Sequence, residues 1–150
     1  MEPRMSAPGI ILDEPDRLIA WAAKQFGLNF FSDARAIGWG TLDDIRAVAI
    51  YERWTGTDCS VHLVSDQRPG WLSRRFIAAG FTYPFVVGGL HRMTGLVPAS
   101  NKRALRLNQH FGFRIEGALR RGANDGGDMI VMGMLREECP FIAKDMLHEQ

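Results

Sequence analysis

The segment 66–75 reads DQRPGWLSRR and follows the alternating run SVHLV at 60–64. A strand that enters a Pro-Gly turn and then a helix presents backbone N–H groups at the positive end of a helix dipole, a chemistry suited to an anion. Pro69 removes one N–H, so Gly70, Trp71, Leu72 and Ser73 are the expected donors, and Gly70 allows close approach to the backbone. Arg68, Arg74 and Arg75 flank this turn, and Lys102 and Arg103 flank a second helix start. These cations either meet phosphate or stand solvated on helix faces. The segment lacks the Gly-Lys-Ser/Thr of a nucleotide-hydrolase phosphate loop, which argues against ATP or GTP chemistry.

The elements that must position this turn follow from periodicity. Leu18, Ile19, Ala22, Ala23 and Phe26 recur at helical spacing, predicting a helix over 16–26 with Asp13 or Asp16 as N-cap and Gly27 as the stop. Strand patterns at 34–41, 45–54 and 59–65, separated by turns at 42–44 and 55–58, predict an antiparallel meander. A helix over 71–85 is expected next, with Leu72, Phe76, Ala79 and Tyr83 on one face and with Gly80 and Pro84 weakening its later turns. A short strand at 92–97 precedes a helix over 101–111, capped by Asn101 and closed by Gly112. Strands at 113–121 and 129–137, joined across NDGGD, complete an α+β domain of three layers.

Composition narrows the class. The chain has 150 residues, 46% hydrophobic and 23% charged, which fits a single domain over 1–150. Eighteen Lys and Arg against seventeen Asp and Glu give a net charge of +1, so no general field attracts nucleic acid, and a basic site must be local. Cys59 and Cys139 are far apart without metal-ligand spacing, and reduced thiols in the cytoplasm are expected, with no metal. The opening MEPRMSAPGIILDEPDR interrupts any apolar run with prolines and acids, so no secretion signal is expected. The uncharged stretch 78–90 falls short of the roughly 20 apolar residues that span a membrane, and a soluble protein is expected.

The run from Asn101, NKRALRLNQHFGFRIEGALR, resembles the C-terminal half of the GNAT superfamily of N-acetyltransferases. It is closest to the ribosomal-protein N-terminal acetyltransferase branch, where an Asn opens a helix that ends in Gly-Phe and is followed by Glu-Gly and an Arg. Singly, each residue reads as structural; their order after the strand-turn-helix upstream carries the resemblance. The order of elements from Phe31 onward also matches, with one N-terminal helix where many members have two. The resemblance implies the GNAT fold, an α/β/α arrangement about a mixed, mainly antiparallel twisted sheet of about six strands.

It further implies a cosubstrate, acetyl-coenzyme A, and transfer of its acetyl group to a primary amine by direct reaction in a ternary complex. The acceptor is a protein N-terminus, a lysine or a small-molecule amine. In the family's pyrophosphate loop, Gln67 and Gly70 match the first two positions, and Leu72 stands where Gly or Ala is usual. Leu63, Val64 and Ser65 fall on the strand that pairs with the pantetheine arm through backbone atoms, one of whose N–H groups would stabilise an oxyanion. Arg68, Trp71, Ser73, Asn101 and Arg103 complete the expected cofactor contacts. Glu52 and His62, on adjacent strands, are the candidate proton acceptors. Asn108 occupies the position of the Tyr that protonates the departing thiolate in many members; its amide donates a hydrogen bond but no proton. With Leu72, it supports an alternative, a catalytically weak domain that binds acyl-coenzyme A or a protein partner. Trp39, Trp54, Phe30 and Phe31 either line an acceptor pocket or pack in the core. A homodimer through the C-terminal hairpin is also expected.

Overall fold

The computed structural model describes residues 7–142; the first six residues of the N-terminal stretch considered above, and 143–150, lie outside the described residues. Among the described residues, seven strands form one sheet: β1 (Gly9–Ile11), β2 (Arg35–Thr41), β3 (Asp44–Glu52), β4 (Ser60–Ser65), β5 (Arg92–Pro98), β6 (Arg114–Leu119) and β7 (Met129–Leu135). Their order is β1-β2-β3-β4-β5-β7-β6. Every neighbouring pair is antiparallel except β4 and β5. The mixed, mainly antiparallel sheet is as expected, with one strand more than anticipated. The addition is β1, whose three residues are too short to display alternation and are defined by pairing with β2.

Period-two alternation assigns each strand residue to a layer. Ala47, Ala49 and Tyr51 of β3 face a core shared with Phe76 and Phe81 of α2 (Arg74–Thr82) and Phe111 of α3 (Lys102–Phe111). Val48 and Ile50 face the other way, onto Leu18 and Ala22 of α1 (Pro15–Phe26). The sheet is thus the middle of three layers.

Local chemistry moved several boundaries. Neither Asp13 nor Asp16 caps α1; Glu14 holds the cap position without a side-chain bond, and Pro15, which needs no N–H partner, starts the helix. Gly27 closes it at φ 66°, as expected. β3 ends at Glu52 because Arg53 turns to φ 57° and Asp33 accepts the N–H groups of Arg53 and Trp54 at 3.1 and 2.9 Å. α2 begins at Arg74 rather than 71, since the Ser73 hydroxyl accepts the Phe76 N–H at 3.0 Å and caps the helix there. Pro84 offers no N–H to the carbonyl of Gly80, and the Tyr51 hydroxyl donates to it instead at 2.6 Å. The chain then widens into a π-helical turn over Tyr83–Val87, closed by the Gly88 N–H on the Tyr83 carbonyl. Asn101 caps α3 through the Ala104 N–H, and Gly112 ends it at φ 114°. The last hairpin has a longer connection than NDGGD, because β6 stops at Leu119. Among the described residues, no helix is long and apolar enough to cross a membrane.

Candidate functional site

The parallel strands β4 and β5 pair at one position only, Ser60 with Thr94. The Thr94 N–H donates to the Cys59 carbonyl at 2.9 Å, and beyond this point the strands part. Which backbone groups enter the split follows from the antiparallel ladders on either side. The Asp66 N–H donates to the Arg46 carbonyl, so by alternation Val64 and His62 direct their backbone groups to β3, while Val61, Leu63 and Ser65 direct theirs towards β5. The Arg136 N–H donates to the His91 carbonyl, so Thr94 and Leu96 face β4. Of the three residues expected at a pantetheine arm, Leu63 and Ser65 therefore turn polar backbone into the split, and Val64 does not.

The closed end of the split is fastened by side chains. The Thr94 hydroxyl contacts both Asp58 carboxylate oxygens at 2.9 Å, and accepts from the Arg92 guanidinium at 3.1 and 3.3 Å. Arg92 also bridges to Glu116 at 2.8 Å, lying against Gly133, where an added side chain would displace both. Glu116 thus has the structural role of pairing with Arg92. Hydrogen bonding to Glu116 raises the pKa of Arg92 above its ordinary value.

At the open end, β4 leads into the loop 66–73. The Gln67 N–H is taken by the Ser65 hydroxyl, the Arg68 N–H by Asp66 and the Ser73 N–H by the Trp71 carbonyl. The N–H groups of Gly70, Trp71 and Leu72, with those of Arg74 and Arg75 in the first turn of α2, have no acceptor among the described residues. Ser73 thus serves through its hydroxyl as the helix cap rather than as a backbone donor. Gly70 sits at φ 91° with open space where a side chain would go. Leu72 is 47% exposed and points its side chain to solvent rather than into the core. Arg103 reaches from the start of α3 to the Gln67 side chain at 3.3 Å, bringing the two helix starts together at one place. Arg68 is turned away, bonded to Asp44 at 2.6 Å and to Asp66. Arg46, which the sequence did not single out, braces the loop by donating to the Pro69 carbonyl at 2.7 Å.

The remaining candidates divide between the two faces of the sheet. On the α3 face, the Asn108 amide lies over Gly95 and approaches the Met132 sulfur at 3.8 Å. On the α1 face, Glu52 and His62 meet, His62 Nε2 standing 2.9 Å from Glu52 Oε1. The second Glu52 oxygen accepts the Phe31 N–H at 2.7 Å, and the Phe30 ring lies 5.6 Å from the imidazole. Phe31 is exposed with the Arg53 guanidinium over its ring. Trp39 is core, packed on Phe76. Trp54 lines an open groove of about 370 Å³ with Arg35 and Tyr83. Sequence reasoning missed the fastening by Asp58, Thr94 and Arg92, because nothing local marks a contact between residues 36 positions apart. Among the described residues, no group of His, Cys, Asp and Glu stands ready to hold a metal.

No family model and no curated protein matches the chain in sequence. Solved structures do match. A mutant of the spermidine N-acetyltransferase SpeG from Vibrio cholerae superposes with TM-score 0.72 over 94% of this chain and 99% of that one, at 13% identity. The chain has the GNAT acetyltransferase fold. An acetyltransferase of the GNAT family from Streptococcus pneumoniae matches with TM-score 0.67 at 19% identity, over 85% of this chain and 98% of that one. The Vibrio cholerae enzyme in complex with CoA and spermine matches with TM-score 0.62 at 16% identity, over 71% and 68%. At these identities it is the GNAT fold that is shared, and the split sheet with its helix-start loop is the part of that fold on which a reading of this chain must rest.

Proposed function

We propose that this chain is an acetyl-coenzyme A-dependent N-acetyltransferase that carries an acetyl group to a primary amine by direct transfer in a ternary complex. The observation that carries the reading is the split between β4 and β5, which ends in a loop of free N–H groups at the start of α2. The donor set fits a coenzyme. Gly70, Trp71, Leu72 and the first turn of α2 offer N–H groups to a diphosphate, with Arg103 beside them. The backbone of Leu63 and Ser65 offers strand-like pairing to an extended amide-bearing arm. Coenzyme A supplies the thioester; the protein's part is to align the carbonyl with the amine and to give its developing oxyanion an N–H from β4. Acetyl transfer in proteins that share this fold, and a complex of one of them with CoA and spermine, lend the reading support.

The acceptor face is that of Glu52, His62, Phe30 and Phe31. A protein N-terminus, a lysine or a small amine all fit the chemistry. A cytoplasmic location and a homodimer through β6, the sheet edge on which Ile115 and Leu119 are exposed, belong to the same reading. A monomer mass by sedimentation would end the latter. One observation favours a second reading, coenzyme binding with weak turnover: Asn108 stands near the split without a proton to give.

Calorimetric titration with acetyl-coenzyme A, coenzyme A and adenosine diphosphate tests the proposal. Selective binding of both coenzymes is expected, and its loss in Gly70→Glu. No steric clash awaits that side chain, so the loss would report the left-handed backbone and the added charge in the cradle. Absence of binding at about 1 mM coenzyme, weaker than about −4 kcal/mol, would sink the transferase reading.

A further inference from the structure

We infer, resting on the acetyltransferase reading, that His62 is the proton acceptor for the incoming amine and that Glu52 is a positioning residue that fixes the imidazole tautomer. Both Glu52 oxygens are already committed, Oε1 to His62 Nε2 at 2.9 Å and Oε2 to the Phe31 N–H at 2.7 Å. Its side chain is 7% exposed, whereas that of His62 is 26% exposed. An amine therefore reaches the imidazole and not the carboxylate. A carboxylate at neutral pH only accepts hydrogen bonds, so Nε2 must donate, and the lone pair is left on Nδ1. The Phe30 ring and the Glu52 bond together hold the imidazole plane.

The placement suits the reaction. His62 lies on β4 between Val61 and Leu63, whose backbone groups face the split, and its side chain stands on the α1 face of that strand. An amine approaching from this face attacks the thioester carbonyl carbon with its lone pair. The new C–N bond forms as the C–S bond breaks, the thiolate leaves with the bonding pair, and the nitrogen's surplus proton passes to Nδ1. Water protonates the thiolate and later relieves the imidazolium, so amine and thioester become amide and thiol. The imidazolium that forms is stabilised by the adjoining carboxylate.

Other charges near His62 are accounted for. From β3 the facing group is Glu52. Beyond Ser60, Arg92 is matched by Asp58 and Glu116. In the loop after α1, Asp33 is held by the backbone of Arg53 and Trp54, and Asp16, Arg17 and Lys24 lie on the exposed side of α1.

The test is steady-state acetylation of three acceptors: a polyamine, a peptide with a free α-amine, and an Nα-blocked lysine peptide. His62→Gln is expected to lower kcat about 100-fold or more and to abolish the acidic limb of the pH profile, with coenzyme A affinity unchanged. Glu52→Gln keeps a carbonyl for the Phe31 N–H but turns an NH₂ donor towards Nε2, which forces the hydrogen onto Nδ1. It should cost about as much as His62→Gln, and the double variant no more than either. A His62→Gln enzyme that keeps its kcat and acidic limb would overturn the inference. Long-range ¹H–¹⁵N spectra of the unsubstituted protein give a readout that needs neither turnover nor a folded variant. The Nε2–H tautomer is expected, and an Nδ1–H tautomer overturns the assignment. Failure of coenzyme binding would instead strike the acetyltransferase reading and leave the tautomer result standing.

Discussion

At the scale of single residues, the loop separates two arginines that the sequence could not tell apart. Arg103 spans the two helix starts through Gln67, while Arg68 is spent on Asp44 and Asp66. Arg103→Ala should weaken coenzyme A binding by about 1.5–3 kcal/mol, as for loss of a charge-assisted hydrogen bond, whereas Arg68→Ala should leave affinity nearly intact. Equal losses in calorimetry would refute this division. Carboxylates that serve the backbone set the acid limit. Backbone N–H donation from Trp54 and Arg53 lowers the pKa of Asp33 below 3.8. For Asp66, burial pushes upward, but the bonds and charges of Arg68 and Arg46 outweigh it and leave the pKa below 3.8. A lowered folded-state pKa gives stability that is present above the unfolded value and lost as pH falls through the folded one. The urea midpoint should therefore be flat from about pH 7 to about pH 5 and drop below about pH 4, with a shallower drop in Asp33→Asn. A midpoint that declines already near neutrality would contradict the assignment.

At the scale of elements, the bend after α2 is a consequence of Pro84. Tyr51 replaces the missing amide as donor to the Gly80 carbonyl, and burial in the core pushes the pKa of its hydroxyl well above 10.0. Tyr51→Phe strands that carbonyl and should cost about 1–3 kcal/mol in chemical denaturation, with the slope unchanged. A variant as stable as the parent would mean that another donor reaches the carbonyl. The element scale was also the most legible in sequence. α3 carries its own punctuation in Asn101 and Gly112, and the β2–β4 meander shows alternation and turn residues, so both were readable. The start of α2 was not, because Trp71 and Leu72 continue its apolar period while the deciding bond is one hydroxyl at Ser73. The site was half legible for the same reason. Glu52 and His62 could be nominated from neighbouring strands, yet the commitment of both Glu52 oxygens depends on Phe31, 21 residues away. The fastening of Thr94 to Asp58 bridges 36 residues and leaves no local signature.

At the scale of the whole molecule, the sheet consists of two antiparallel parts, β1 to β4 and β5 to β6, joined by a single ladder position. The parts share the core under α2 and α3, and beside that ladder position they are fastened by the Thr94 hydroxyl on Asp58, by Arg92 on Asp58 and by the N–H groups of His91 and Arg92 on the Thr57 carbonyl. The proposed coenzyme would touch both parts, β4 and its loop from one and the α3 start from the other, so binding and closure of the split should be thermodynamically coupled. Thr94→Val removes the hydroxyl while nearly preserving its shape, leaves a partly buried carboxylate short of a donor, and should cost about 1–3 kcal/mol of stability. Coenzyme A at about 100 times its Kd should return about 2.7 kcal/mol to either protein, since ligand that binds only the folded state stabilises by mass action. The coupling shows in the dissociation constant itself, which should rise in Thr94→Val and return in Thr94→Ser, where the hydroxyl is restored. Unfolding free energies with and without coenzyme, measured beside calorimetric affinities, close that cycle. If Thr94→Val loses stability but binds coenzyme as the parent does, the fastening holds the sheet together without setting the width of the split.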